Sequence, residues 1–217
     1  MKLVQSALAI SLLFPTATFA QDSAERGWHL KPILAISQLS DQTISTVGVG
    51  NLDGTADVQL DGGFASGLNV GFSYNANWAA EIGWEYRSND SEVTLADGQR
   101  FSDGNYASNA FFVNGIYSFD ASTNWRPYIG AGLNWIQEID IDLETAGNEL
   151  SYSSDSDSGF QVFAGIDYEI DERWSVLGEA RYSRITDAEL TGENTTGSLR
   201  GLDYNPVSLQ IGLKYRF

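Results

Sequence analysis

His29 is the chain's one histidine, and therefore its one imidazole available as a general base or metal ligand. Nucleophilic hydrolysis needs a hydroxyl or thiol within hydrogen-bond reach of such a base. No serine stands in a matching motif near His29, and there is no cysteine. Glu81 and Glu85 are the paired carboxylates that invite a glycosidase reading. Four residues apart on one strand, they would sit about 13 Å apart, too far for either glycosidase geometry. Asp155-Ser156-Asp157-Ser158-Gly159 offers Asp155 and Asp157 as two alternate acids of a calcium loop, without the rest of its twelve-residue pattern. Gly48-Val49-Gly50 lacks the third glycine and the following helix of a dinucleotide loop, and Gly130-Ala131-Gly132 falls inside a strand pattern. No catalytic residue and no cofactor site is expected, and the chain is read as a non-enzyme.

The elements that would position these residues are strands. Trp28, Trp78, Trp125 and Trp174 recur at intervals of 50, 47 and 49 residues, and each opens a run alternating with period two. Between those runs lie Leu68-Val70-Phe72-Tyr74, the segment from Phe111 to Phe119, and the segment from Phe160 to Ile170. Val207, Leu209, Ile211, Leu213, Tyr215 and Phe217 make the last. Period two means one apolar and one polar face, and the total is eight strands. Short turns fall at 75–77, 120–124 and 171–173, whereas long connections are expected at 40–62, 88–104, 139–158 and 186–203. No segment has the run of apolar residues that a transmembrane helix needs, and only closed barrels otherwise satisfy their backbone in lipid. The fold class expected is all-β: an eight-stranded antiparallel transmembrane β-barrel of up-and-down topology, with its short turns on the periplasmic side.

The ends fit export to that membrane. Lys2, the apolar Leu3 to Phe14 and Thr18-Phe19-Ala20 read as a signal peptide over 1–20, leaving a barrel domain over 21–217. Absence of cysteine leaves the exported fold without disulfides. The formal charge is −17, from 12 Lys plus Arg against 29 Asp plus Glu, which argues against nucleic acid as a partner. The four long connections carry net −4, −3, −6 and −3, together −16 of that charge. The plainer reading of this acidity is a solvated, self-repelling outer surface. The sharper one is divalent-cation bridging to anionic lipopolysaccharide.

All six tryptophans share the apolar parity. Trp28, Trp78, Trp125 and Trp174 would form a periplasmic interface girdle, and Trp84 and Trp135 an outer one. Ten residues from Trp125 to Trp135 is about 33 Å of strand, roughly 25 Å of height at a tilt of about 40°, the depth of the apolar band. The opposite parity turns Lys31, Glu81, Glu85, Arg87, Asn114, Glu138, Asp167, Glu179, Arg181, Gln210 and Lys214 into the lumen. Gly71, Gly83, Gly130, Gly132, Gly165 and Gly212 would relieve crowding there. An eight-stranded lumen is just wide enough for side chains to fill, and charges within it must be paired. The expected network has Lys214 facing Glu179, with Arg181 and Lys31 meeting Glu81 and Glu85.

Three stretches resemble the OmpA-like eight-stranded barrels, in particular opacity-type outer-membrane proteins: Arg126-Pro127-Tyr128-Ile129-Gly130-Ala131-Gly132, Glu179-Ala180-Arg181-Tyr182-Ser183-Arg184-Ile185, and Asn205 to Phe217. The first is also similar to the OmpW family. The resemblance covers the strands and not the long connections. It implies a monomer in the outer membrane of a Gram-negative bacterium, in contact with lipid and lipopolysaccharide. Tyr215 and Phe217 would then be the C-terminal aromatic signal read by the barrel-assembly machinery. The implied role is envelope structure and surface interaction, with divalent cations or host and phage surfaces as candidate partners. The OmpW likeness implies instead a small channel for small or hydrophobic solutes. A third class is a lipid-modifying enzyme of the same membrane. The sequence names no ligand or receptor.

Overall fold

The computed structural model describes residues 26–49, 52–120, 123–145, 148–154 and 157–217. The expected signal segment 1–20, and Asp155, lie outside them. The chain forms β1 (Gly27–Gln38), β2 (Gln42–Val49), β3 (Leu52–Ser73), β4 (Trp78–Leu95), β5 (Arg100–Ser118) and β6 (Trp125–Thr145). It continues with β7 (Asn148–Ser154), β8 (Ser158–Glu169), β9 (Trp174–Gly192), β10 (Ser198–Tyr204) and β11 (Val207–Arg216). Every pairing is antiparallel, and the ladder closes twice. The order β1-β3-β4-β5-β6-β8-β9-β11 returns to β1 through the β1–β11 ladder. The order β2-β3-β4-β5-β6-β7-β9-β10 returns to β2 through the β10–β2 ladder. Two eight-stranded cylinders are therefore stacked end to end, with β3, β4, β5, β6 and β9 running through both.

The expected long connections are thus a correction: 40–62, 88–104, 139–158 and 186–203 are mostly strand among the described residues. β3 has 22 residues, about 70 Å of chain. At a tilt of about 40° that is roughly 50 Å of height, twice the apolar band of such barrels. The surfaces divide accordingly. Around the lower cylinder Leu34, Ile36, Ile82, Leu133 and Ile211 are exposed outward, the pattern of a wall facing lipid. Around the upper one the outward residues include the exposed Asp57, Glu144 and Glu189.

Bulges join the two cylinders and change which parity points inward. In β3 the register shifts between Leu60 and Gly63, so Ala56, Val58 and Leu60 above and Ala65 and Asn69 below are all buried. In β6 the shift falls between Ile136 and Glu138, where one extra residue is accommodated. Beyond it Ile139, Ile141 and Leu143 turn inward, and Glu138 is exposed rather than in the lumen, contrary to its parity.

At the lower end the turns are capped by their own side chains. Asn75 Oδ1 accepts from the N–H groups of Asn77 (2.9 Å) and Trp78 (2.8 Å). Asp171 Oδ1 does the same for Arg173 and Trp174, both at 2.8 Å. These are Asx-turns, a local bond that fixes a tight reversal, and each delivers the next strand's tryptophan. Trp28, Trp78, Trp125 and Trp174 then meet Phe72, Tyr117, Tyr168 and Tyr215 as direct cross-strand neighbours, with ring centroids 5.2, 5.0, 4.7 and 4.7 Å apart.

Candidate functional site

The lumen holds the buried ionisable groups. At the lower end Glu81 on β4 receives Lys31 Nζ at 2.6 Å and His29 Nε2 at 2.9 Å, both from β1. Lys214 pairs with Asp167. Higher up, Arg181 binds Glu179 through Nε (3.0 Å) and Nη2 (2.8 Å) and lies 3.8 Å from Glu85. Its guanidinium is stacked between Phe112 and Phe163, 4.9 and 5.0 Å from their centroids. Arg87 pairs with Glu85 and donates to Ser37 and, at 3.0 Å, to Ser208. Four cations thus face four carboxylates among the described lumen residues, with His29 as the ninth titratable partner. Buried charge is tolerated only when paired in this way.

The contacts cross strands because glycine stands between the partners. His29, Gly71 and Glu81 share one register row on β1, β3 and β4. A Cβ at Gly71 would come within 2.2 Å of the imidazole. Likewise Tyr128 donates to Glu179 Oε2 at 2.9 Å over Gly165, and Gln161 donates to Asn114 Oδ1 at 2.6 Å over Gly132. An inward glycine therefore does more than relieve crowding: it lets its two neighbours bond directly across a strand.

Lys31 meets Glu81, and Arg181 approaches Glu85. The expected Lys214–Glu179 pair does not form, because Glu179 is opposite Gln210 and Lys214 is opposite Ser175. That offset of four residues is about 13 Å. Tyr128, Phe112 and Phe163 were not read from the sequence as lumen residues. The signal was available, since each is the register partner of an inward glycine: Gly165, Gly83 and Gly130 respectively.

Above Arg87 the lumen changes character. Tyr204 is hydrogen-bonded to Ser108 at 2.8 Å. Over it lies an apolar core in which Ile139, Ile141, Leu143, Tyr152, Ala188, Leu190, Leu199 and Leu202 are each 0 % exposed. The upper cylinder is therefore filled like the interior of a soluble protein. The remaining sequence candidates are placed simply. Trp84 and Trp135 flank Phe111 in one outward row, Tyr215 and Phe217 meet edge to face at 5.1 Å at the lower rim, and Asp157 accepts from Ser154 at 2.6 Å. Among the described residues no three acidic or histidine side chains gather as a metal site.

Comparison with known proteins gives four findings. Residues 6–217 match the protein family described as the outer membrane protein beta-barrel domain. Outer membrane protein W of Vibrio cholerae serotype O1 is 22% identical over 158 residues, covering 70% of this chain and 72% of that protein. Protein opa of Haemophilus influenzae is 30% identical over 89 residues, covering 41% of this chain and 72% of that protein. In fold, the crystal structure of OprG from Pseudomonas aeruginosa superposes with a TM-score of 0.68 at 16% identity, over 89% of this chain and 97% of that one.

Proposed function

Since the chain belongs to the outer membrane protein beta-barrel domain family, and is a small outer-membrane β-barrel protein, we propose that it is a closed, non-enzymatic barrel. Its role is to brace the envelope and present a stiff acidic wall for surface interaction. The observation that carries this is the filled lumen: paired charges through the lower cylinder, then a buried apolar core through the upper. A path for ions would have to break both. The outward acids of the upper cylinder belong to ladder-bonded strands, so they form a fixed field rather than a cloud of mobile loops. Lipopolysaccharide bridged by divalent cations is the partner that this field suits. The girdle of Trp28, Trp78, Trp125 and Trp174 anchors the periplasmic rim, Trp84 and Trp135 mark the outer interface, and Tyr215 with Phe217 serves assembly. The barrel acts as a monomer.

The test is planar-bilayer recording of the refolded protein. Little or no steady conductance is the expected result, and large, stable open events would overturn the closed reading. One observation favours a second function: the upper lumen is lined by apolar rather than polar side chains, which suits passage of a hydrophobic solute after the core loosens. Entry of a fluorescent hydrophobe into vesicles, faster with the protein than without it at zero conductance, would select that reading.

A further inference from the structure

Of the cations above the lower rim, Arg184 on β9 is the one that no carboxylate meets among the described residues. In the lumen Lys31, Arg87, Arg181 and Lys214 are all paired. On the outer wall of the upper cylinder Arg100 binds Glu92 at 2.5 Å and Arg200 binds Glu189 at 2.8 Å. Arg184 is exposed and, among the described residues, makes no hydrogen bond or ion pair. A charge on a wall that faces lipid is costly near mid-bilayer and tolerable only towards an interface.

Two observations fix its height. Arg184 lies ten residues beyond Trp174 with the same parity, as Trp135 lies ten beyond Trp125. Each span is about 33 Å of strand and roughly 25 Å of height at a tilt of about 40°. The inward parity also switches just above each. Past Trp135 it switches at the β6 bulge. Past Arg184 it switches where Ile185 and Ala188 are both buried, because β9 carries one extra residue against β10 between Tyr204 and Leu202. At the level where β6 has a tryptophan, β9 has a guanidinium.

The neighbours of Arg184 sort by polarity. Phe160 is directly opposite on β8, and Tyr182 is two residues below on the same face of β9. Above it Ser158 on β8 and Thr186 on β9 are exposed hydroxyls. Aromatic rings beneath and hydroxyls above mark the level at which acyl chains give way to headgroups. An arginine stem lies along apolar surface while its head stays in the polar layer, and its planar fork takes two phosphate oxygens at once.

We propose that Arg184 docks a phosphate of lipopolysaccharide in the outer leaflet, directly and without a bridging cation. This deepens the reading above and rests on it for the partner and for the side to which the upper cylinder faces. The acidic wall repels phosphate and meets the same molecule only through divalent ions. Arg184 supplies the contact that survives their removal, and the Ser158 and Thr186 hydroxyls are placed for the sugar beside that phosphate.

The experiment measures binding of purified lipopolysaccharide to the refolded, immobilised protein in detergent by surface plasmon resonance, with a chelator present and ionic strength fixed. Wild type should bind. Arg184→Gln should bind at least about tenfold more weakly, the loss of one charge-assisted contact, and Arg184→Lys should recover part of the affinity. Dephosphorylated lipopolysaccharide should bind wild type as weakly as the intact molecule binds Arg184→Gln. Arg184 is exposed, so the variants should match wild type in urea unfolding, which checks the fold. Equal binding by wild type and Arg184→Gln, or of intact and dephosphorylated lipopolysaccharide, would overturn the proposal. Equal competition by phosphatidylglycerol would overturn it as a lipopolysaccharide site. Magnesium tests the acidic wall separately: it should raise the affinity of wild type and Arg184→Gln alike. Its failure to do so would refute cation bridging, while the Arg184 contact measured in chelator would stand.

Discussion

Leu143→Ala separates a folded upper cylinder from a set of long loops. Leu143 is fully buried and lies opposite Leu150 across the β6–β7 ladder. Truncating a buried leucine removes its apolar contacts and leaves a cavity, at about 2–5 kcal/mol. The ladder compensates little. Among the described residues β7 meets β9 at only Tyr152↔Gly192 and Ser153↔Thr191, and β2 meets β10 at three pairs. The upper cylinder is thus closed more by its core than by its seams, and local opening should bear most of the loss. At about 1.4 kcal/mol per factor of ten, the open population should rise roughly 30- to 4,000-fold. Hydrogen exchange of the β6 amides from Ile139 to Leu143, measured on protein folded in bilayers, reads that ratio, with the amides of β11 as an unaffected internal standard. The neighbouring exposed Glu144→Ala should change exchange by no more than about 0.5 kcal/mol. Equal protection in both variants, or no protection in wild type, would refute the reasoning.

Three further outcomes follow from the lower cylinder. Gly165→Ala places a methyl 2.4 Å from the Tyr128 ring and 2.7 Å from the Gly178 carbonyl. It should cost about 1–3 kcal/mol by overpacking in urea unfolding from lipid vesicles, whereas Gly178→Ala, with nothing within 4 Å, should be near neutral. Ala131→Arg on the lipid face should cost about 2–4 kcal/mol in the same assay if that position lies near the bilayer midplane, and no penalty would sink the assignment of faces. Asp171, in a turn at the lower rim, is held below the usual carboxylate range by the backbone N–H groups of Arg173 and Trp174. A carboxylate lowered on folding contributes stability that is complete above its unfolded value and is lost as pH falls through the lowered one. Proteolysis at the Arg173 turn should therefore rise on acidification below the ordinary aspartate range, and Asp171→Ala should abolish that pH dependence.

What the sequence made legible was the lower cylinder, because its two faces differ in kind. Lipid on one side and a crowded lumen on the other force a strict alternation, and the tryptophans mark its lower edge. The upper cylinder has the same alternation with a different meaning. Ile139, Ile141 and Leu143 interleave with Asp140, Asp142 and Glu144, but here the apolar set points inward and the acids outward. Read with the lipid-face parity of Trp125 to Trp135, that stretch sends its isoleucines and leucine outward and its acids into the lumen, so its acids mark it as a loop. The bulge between Ile136 and Glu138 is what reverses the faces, and one extra residue leaves no mark in composition. The same ambiguity sent Glu138 to the wrong face. The ion pairs were legible as a set only in part: the lumen parity collects four cations but five carboxylates, Glu138 among them, and burial alone demands that they pair, whereas which ones touch depends on register. Lys214 misses Glu179 by four positions on adjacent strands. Where glycine marks the row, the pairing is recoverable: His29 with Glu81 over Gly71, Tyr128 with Glu179 over Gly165, Asn114 with Gln161 over Gly132. An inward glycine in such a narrow barrel tells the reader which two strands, one removed from each other, are in contact, and it is by that rule that the plug can be read from the chain.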